Sequence, residues 1–347
     1  MRDPVARERI AVVGAGIIGC LVARELAERR PGAVVTLLDR DIAGSGASRL
    51  SAGTHIPRGY SDRFRRMTAY SQDWYEKLAA ADPSLPIHPV AMHVVTAADE
   101  LPPVYIPGSR PTRVPGIGAH MPAIAESARV WSVQGGHYAD VHGLSRSVAR
   151  ELRGRIAVRE GVQVTAVEPA AAEVTLRLGT DDDLVADHVV LAPGPWLDAP
   201  AWRDLLAPVG ARVKKVVALH VDEPVPADAG VVVFQDEDAF LMPLAGHWLF
   251  SYTCRQWDVD PDTVTRGLTA RDVIEANDVL HRCVPGLPGR YSAGRVFCDA
   301  YSAHGEPVVT HVGDRIVFAG AASGFGYRLA PAIADEVAQV IPTATGR

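Results

Sequence analysis

The sequence predicts a mixed α/β chain, α/β with α+β character, whose principal domain is discontinuous and sits beside a second domain built on a mixed sheet. Three observations predict it. An apolar strand at Ile10–Val13 runs straight into Gly14-Ala15-Gly16-Ile17-Ile18-Gly19 and an amphipathic helix. A second apolar strand, Ile316–Ala319, runs into another glycine-rich turn and a closing helix at about Ala330–Val340. Between these ends lie a proline-rich stretch and a series of short apolar strands, which suit a separate sheet.

Taken in order, Ile18, Val22 and Leu26 recur every four residues, with Arg24, Glu25 and Glu28 outward. Pro31-Gly32 stops that helix, and Val34–Leu38 is a second buried strand closing at Asp39. Residues 61–81 have helical spacing. Pro83, Pro86, Pro89, Pro102, Pro103, Pro107, Pro111, Pro115 and Pro122 then favour loops and short strands as far as about Gly136. Asp140–Leu152 is helical again. Val162–Val167, Val174–Leu178 and Val189–Leu191 read as strands, as do Val213–His220, Val231–Phe234 and His247–Tyr252. A helix follows at Thr269–His281, where Thr269 and Asp272 have the spacing of a capping box. The acidic run Asp181–Asp183 reads as a solvated hairpin tip, and Lys214 and Lys215 as solvated strand charges.

Composition narrows the function. At 347 residues the chain has room for two domains of about 150 residues each. Hydrophobic residues make up 48% and charged ones 22%, which excludes a largely disordered chain. A net charge of −6 argues against a nucleic-acid partner. Four dispersed cysteines argue against a disulfide framework or a zinc site, so no metal is expected. No apolar run approaches the ~18 residues of a membrane span, and the expectation is a soluble, cytoplasmic enzyme.

Chemistry concentrates in the glycines. In G-x-G-x-x-G between strand and helix, Gly14 allows the tight turn and Gly16 lets backbone approach a pyrophosphate. Gly19 lets helix pack on strand, and the helix N-terminus supplies donors to the phosphates. Asp39 ends the next strand, where a carboxylate accepts from a ribose hydroxyl. FAD and NAD both use this Rossmann-like unit. Two distant small-residue segments, Gly46–Gly53 and Gly320–Pro331, suit a long extended cofactor better than a nicotinamide.

These motifs, together with YADVHGLSRSVARELR, GVQVTAVE, LAPGPW at 191–196, AYSAHGEPVV at 300–309 and GAASGFGYRLAPAIADEVA, resemble the FAD-dependent D-amino acid oxidase, glycine oxidase and sarcosine oxidase family over nearly the whole chain. The resemblance implies an FAD-binding domain of residues 1–75, 138–205 and 290–347 and a substrate domain of 76–137 and 206–289. It implies pyrophosphate contacts from Gly14, Gly16, Ile17, Ile18 and Gly19, and ribose contacts from Asp39 and Arg40. Gly46, Ala47, Ser48, Ser51, Ala52 and Gly53 would line pyrophosphate and flavin, while the Val164 backbone would meet the adenine. Ala192, Gly194 and Trp196 would support the flavin region. Ser323, Gly324, Phe325, Gly326, Tyr327, Arg328 and Leu329 would wrap the pyrimidine edge of the ring.

The implied chemistry is hydride removal from a carbon bearing an amine, giving an imine that water hydrolyses, with O2 reoxidising the flavin to yield hydrogen peroxide. A dehydrogenase of an amine or hydroxy acid, passing electrons to a carrier or quinone, is the alternative, because His247–Tyr252 lacks the lysine that helps oxygen react in sarcosine-type relatives. A flavin-dependent binding or assembly protein with a degenerate site is a further one. FAD is expected to be non-covalent, with a Cys298 link as the other possibility. Arg328, Asp299, Tyr252 and His55 are the residues expected to face a small-molecule amine or amino-acid substrate, with His247 and His304 as lesser candidates. Asp299 stands where amino-acid oxidases of this family carry a carboxylate-binding arginine, which points to a larger, specialised substrate. Pairing of Asp299 with Arg295 or Arg328 is the competing expectation.

Overall fold

The computed structural model describes residues 7–118, 123–124, 127–287 and 289–342. A six-stranded sheet runs in the order 308–313, 316–320, 188–191, 9–13, 34–39 and 157–160, parallel except for the edge strand Val308–Gly313. Its central strands are apolar on both faces because helices cover one and the antiparallel strands Val164–Pro169, Val174–Leu178 and Asp183–Ala186 the other: Ile10, Val12, Leu37, Leu38, Val189, Val190 and Phe318 are all at most 1% exposed. Helices Ile17–Arg29, Val141–Leu152 and Gly326–Val340 bury their apolar stripes there, and Asp62–Ala81 packs behind the last of these. Two of these helices have the caps their sequences promise. The Ser61 hydroxyl accepts from the Phe64 N–H, and the Asp140 carboxylate accepts from the Gly143 N–H.

The final helix begins at Gly326, earlier than its periodicity indicates, and carries Pro331 in its interior. A proline there cannot donate to the carbonyl four residues back. That carbonyl belongs to Tyr327, and the Tyr75 hydroxyl donates to it at 2.7 Å instead.

An eight-stranded mixed sheet runs 291–301, 212–221, 247–252, 239–244, 231–234, 92–96, 129–133 and 112–114. The strand Tyr291–Tyr301 pairs along its length with Arg212–Val221, while its last residues, Cys298 and Ala300, pack into the apolar cluster beneath the six-stranded sheet. It therefore joins the two sheets. The Thr269–Asp272 capping box forms at the head of helix Ala270–Cys283, which lies across the eight-stranded sheet. Asp181–Asp183 forms a hairpin tip, with Asp181 at φ 61°. Among the described residues no helix is long and apolar enough to cross a membrane.

Candidate active site

A cleft of about 300 Å³ begins where the first strand meets its helix. Gly14 has φ +100°, and a Cβ there would collide with the Ala192 carbonyl; one on Gly19 would collide with the Gly14 carbonyl. Gly16 differs, because its nearest neighbour to a Cβ would be Ser48 Oγ at 3.4 Å, so the space above it is the cleft itself. The first two of these glycines close the turn and the third keeps the phosphate path clear. Ser48 Oγ accepts from the Ile17 N–H at 3.0 Å, tying the second glycine-rich segment to the helix N-terminus. The Asp39 carboxylate accepts from Ala15 N–H at 2.6 Å and Asp41 N–H at 2.8 Å, and burial raises its pKa.

The cleft is lined from Asp39, Arg40 and Val164 at one end, past Gly46, Ala47, Ser48, Ser51, Ala192, Gly194 and Trp196, to Asp299, Gly324, Gly326 and Tyr327 at the other. Arg40 lies 4.3 Å over the Trp196 ring, and both reach Asp262, at 2.9 and 2.7 Å. The length, two helix N-termini and a free path above Gly16 fit an extended dinucleotide. Gly53, at φ +64°, packs against Ala139; Leu329 and Ser323 are buried and Ala52 half-buried behind the wall, and Phe325 turns toward Tyr60, Phe64 and Arg328. These form the backing of the cleft.

Beside its Tyr327 end sits a buried group of charges. Arg328 and Arg58 are 4% and 3% exposed. Arg58 donates to Gln235 Oε1 at 2.7 Å and to Asp238 Oδ1 at 3.0 Å. Tyr105 donates to Gln235 at 2.8 Å, and Tyr60 reaches Asp238 at 3.4 Å. Arg328 has no carboxylate within 4 Å among the described residues; it meets only the Arg58 carbonyl at 3.5 Å and the Phe325 ring at 4.7 Å. The Nε atoms of both arginines have no partner. Burial and the Arg58 charge push Arg328 down to about 9, so it remains charged at neutral pH.

A second group comes from the paired strands. Their register sets Lys214 opposite Asp299. Lys214 is 6% and Lys215 3% exposed, which corrects the expectation of solvated charges. Successive strand residues face opposite ways. Lys215 binds both carboxylate oxygens of Asp272 at 2.7 Å on the helix side, and Lys214 lies 4.2 Å over the Tyr301 ring on the other. Asp299 therefore pairs with neither Arg295 nor Arg328. Arg295 donates to His220 at 3.1 Å and to the carbonyls of Leu50 and Ser51.

Tyr252 and His55 lie away from the cleft. Tyr252 shares a strand face with Trp248 and Phe250, in the apolar cluster against helix Ala270–Cys283, and its hydroxyl reaches the Asp272 carbonyl at 3.3 Å. His55 is fully buried and stacked on His137 at 4.5 Å; burial, with the His137 and Arg328 charges, keeps it neutral. His247 stacks on His220 at 4.3 Å, and His304 lies at the surface near Arg63 and Glu336. Cys298 is 4% exposed in the apolar cluster, its thiol pushed up to about 11 by burial. Arg58, Asp238 and Gln235 escaped the sequence reading. The only local signal for Arg58 is a lone arginine after the apolar His55-Ile56-Pro57.

A family description, FAD dependent oxidoreductase (DAO), matches residues 9–340. Glycine oxidase of Pseudomonas aeruginosa is 28% identical over 239 residues, a match that spans 60% of this chain and 60% of that relative's length. Among solved structures, glycine oxidase from Geobacillus kaustophilus has the same fold at TM-score 0.77 and 19% identity, over 97% of this chain and 96% of that one. L-Proline dehydrogenase from P. horikoshii does so at TM-score 0.80 and 17% identity, over 97% and 94%. With the glycine-lined cleft and the match across both sheets, the chain belongs to the DAO family of FAD-dependent oxidoreductases.

Proposed function

We propose that this protein is an FAD-dependent oxidase of the C–N bond in an amine or amino acid, and that the substrate presents a carboxylate to Arg58 and Arg328. The observation that carries the reading is the charge balance of that group. Of the two buried guanidinium groups only Arg58 pairs with a carboxylate, that of Asp238, and Arg328 lacks an ionic partner among the described residues. A buried unpaired cation is strongly unfavourable, and a ligand anion would be its complement.

When bound, FAD supplies the hydride acceptor. Gly14, Gly16, Ile17 and Ser48 would hold its pyrophosphate, Asp39 the ribose, and Gly324–Tyr327 the ring edge. The chain's own task is then positional. Arg58 and Arg328 fix the substrate, with Gln235 and Asp238 holding Arg58 in place from behind. Tyr60 and Phe325, beside the arginines, and Tyr301 and Trp257, beside Lys214, would form aromatic walls; Tyr60 and Trp257 are 50% and 40% exposed. Such walls favour a larger, specialised substrate, because a two-carbon amino acid would leave them in water. The FAD is read as non-covalent, since a buried thiol at Cys298 is a poor nucleophile.

Anaerobic bleaching of the bound flavin by a panel of amines and amino acids tests the reading. Reduction by carboxylate-bearing amines, followed by peroxide formation on admitting air, is expected. Bleaching without peroxide but with dye turnover would replace the oxidase with a dehydrogenase; no bleaching by any amine, with reduction by hydroxy acids, would overturn the C–N assignment.

A further inference from the structure

The Lys214–Asp299 pair is chemically unlike the arginine group. Asp299 lines the cleft at its Tyr327 end, yet its carboxylate accepts no hydrogen bond from any described residue. The Lys214 ammonium is buried with no carboxylate within 4 Å among the described residues, and is held over the rings of Tyr301, at 4.2 Å, and Trp257, at 5.2 Å. The pair is therefore preset but unfinished: a carboxylate with open lone pairs faces ligand space, and a cation behind it is fixed by aromatic faces. Asp238 lies between the two groups, within electrostatic reach of both Lys214 and Arg328. The site thus presents cations at one side and an anion at the other, the mirror of a zwitterion.

We propose that Asp299 receives the ammonium of the substrate and takes one of its protons, and that Lys214 is the positioning residue that keeps Asp299 ionised for this purpose. This rests on the reading above that the substrate is an amine. The step balances simply. One N–H bond of the ammonium breaks, its electron pair stays on nitrogen, and an O–H bond forms on Asp299, so that opposite charges become two neutral groups. An ammonium nitrogen has no lone pair to form a C=N bond as hydride departs, so this deprotonation must precede oxidation.

The environment suits the task. Burial raises the Asp299 carboxyl to about 7 against the opposing pull of Lys214, whose own pKa burial lowers. Two further titratable groups lie within electrostatic reach of it, and burial keeps both neutral by pushing the Cys298 thiol up to about 11 and raising Tyr301. Asp238 lies beyond Lys214.

The test uses the FAD-loaded protein under anaerobic conditions, with L- and D-phenylalanine as ammonium-bearing probes and 3-phenylpropanoate as the same skeleton without nitrogen. Binding is followed by flavin difference absorbance and calorimetry from pH 5.5 to 8.5. In the wild type, phenylalanine binding should tighten as pH rises through about 7, and 3-phenylpropanoate binding should weaken over the same range. Asp299→Asn, close to isosteric, should flatten both profiles and weaken phenylalanine tenfold or more without weakening 3-phenylpropanoate. Lys214→Met should move both inflections to higher pH, and Lys214→Arg should restore them. Unchanged profiles in Asp299→Asn, or an equal loss for both probes, would overturn the proposal. Failure of the carboxylate reading is separable: 3-phenylpropanoate affinity unaffected by Arg328→Met would refute that reading and leave the Asp299 comparison standing.

Discussion

Replacing Lys215 by methionine tests whether the buried pair on the helix side of strand Arg212–Val221 holds helix Ala270–Cys283 in place. Lys215 Nζ lies 2.7 Å from each Asp272 oxygen, with side chains 3% and 0% exposed. Removing one member of such a pair leaves an uncompensated buried charge, which costs about 3–5 kcal/mol. Asp272 would keep the Thr269 N–H at 2.9 Å and the Thr269 hydroxyl at 2.8 Å, which offset part of that loss. The expected destabilisation is therefore at the lower end, about 3 kcal/mol. Asp272→Ala should cost about 1 kcal/mol more, because it also removes the capping acceptor. The double variant Lys215→Met/Asp272→Leu should lose less than the sum of the singles, since neither charge is left behind. Urea unfolding of the FAD-loaded protein gives the numbers, as a fall in midpoint at unchanged slope. Burial raises Asp272, but the bonds from Lys215 and Thr269 outweigh it and hold the carboxyl below its usual value. A depressed folded pKa stabilises above the unfolded value of about 3.8 and loses that contribution as pH falls through the folded value. The gap between wild type and Lys215→Met should accordingly close toward strong acid. A loss below 1 kcal/mol at pH 7, or strict additivity in the double variant, would refute the reasoning.

Gly16→Val should yield colourless protein that still folds, because its side chain fills the phosphate path and meets little else; FAD released by denaturation and quantified by absorbance checks this. Acid precipitation of the loaded wild type should leave the yellow colour in the supernatant, and a coloured pellet that Cys298→Ala clears would establish a covalent link. Arg328→Met should lower kcat/KM by about 2–4 kcal/mol on the best carboxylate-bearing amine, with full activity counting against the arginine reading. Glycine, sarcosine and D-alanine should be poor substrates in the same peroxide assay, and efficient turnover of any of them would dispose of the large-substrate expectation.

What the sequence discloses follows how local each determinant is. Gly14, Gly16 and Gly19 act through a turn of six residues, and Asp39 through the end of the next strand, so motif spacing is enough to place them. The capping box at Thr269 and Asp272 is equally local, although nothing in the spacing says that Lys215, far away in sequence, completes it. A lysine pair in a strand is ordinarily solvated, but one side of Lys214 and Lys215 is covered by a helix and the other by the rings of Tyr301 and Trp257, which the sequence does not show. Tyr252 was misplaced for a related reason. Its strand is buried at Trp248, Leu249, Phe250 and Tyr252, on both faces, so no alternation marks which side meets the cleft. Arg58 is the extreme case, since Gln235, Asp238 and Arg328 reach it only through the assembled fold.

The same distinction separates how this fold handles cofactor and substrate. The cofactor cleft is built largely from backbone, where a glycine, a helix end and one carboxylate suffice, and a side chain is mostly an obstruction. The charged groups beside its Tyr327 end lie on long strands and the last helix, and Arg58 and Lys215 are seated by partners from other parts of the chain. Strands Arg212–Val221 and Tyr291–Tyr301 are what connect the two. On one face they carry Lys214 and Asp299 toward the cleft; on the other, Lys215 locks onto the capped helix. Further along, Arg295 grips the Leu50 and Ser51 carbonyls of the second glycine-rich segment. A change in one charged residue of this strand pair therefore leaves the backbone determinants of the cofactor cleft as they are.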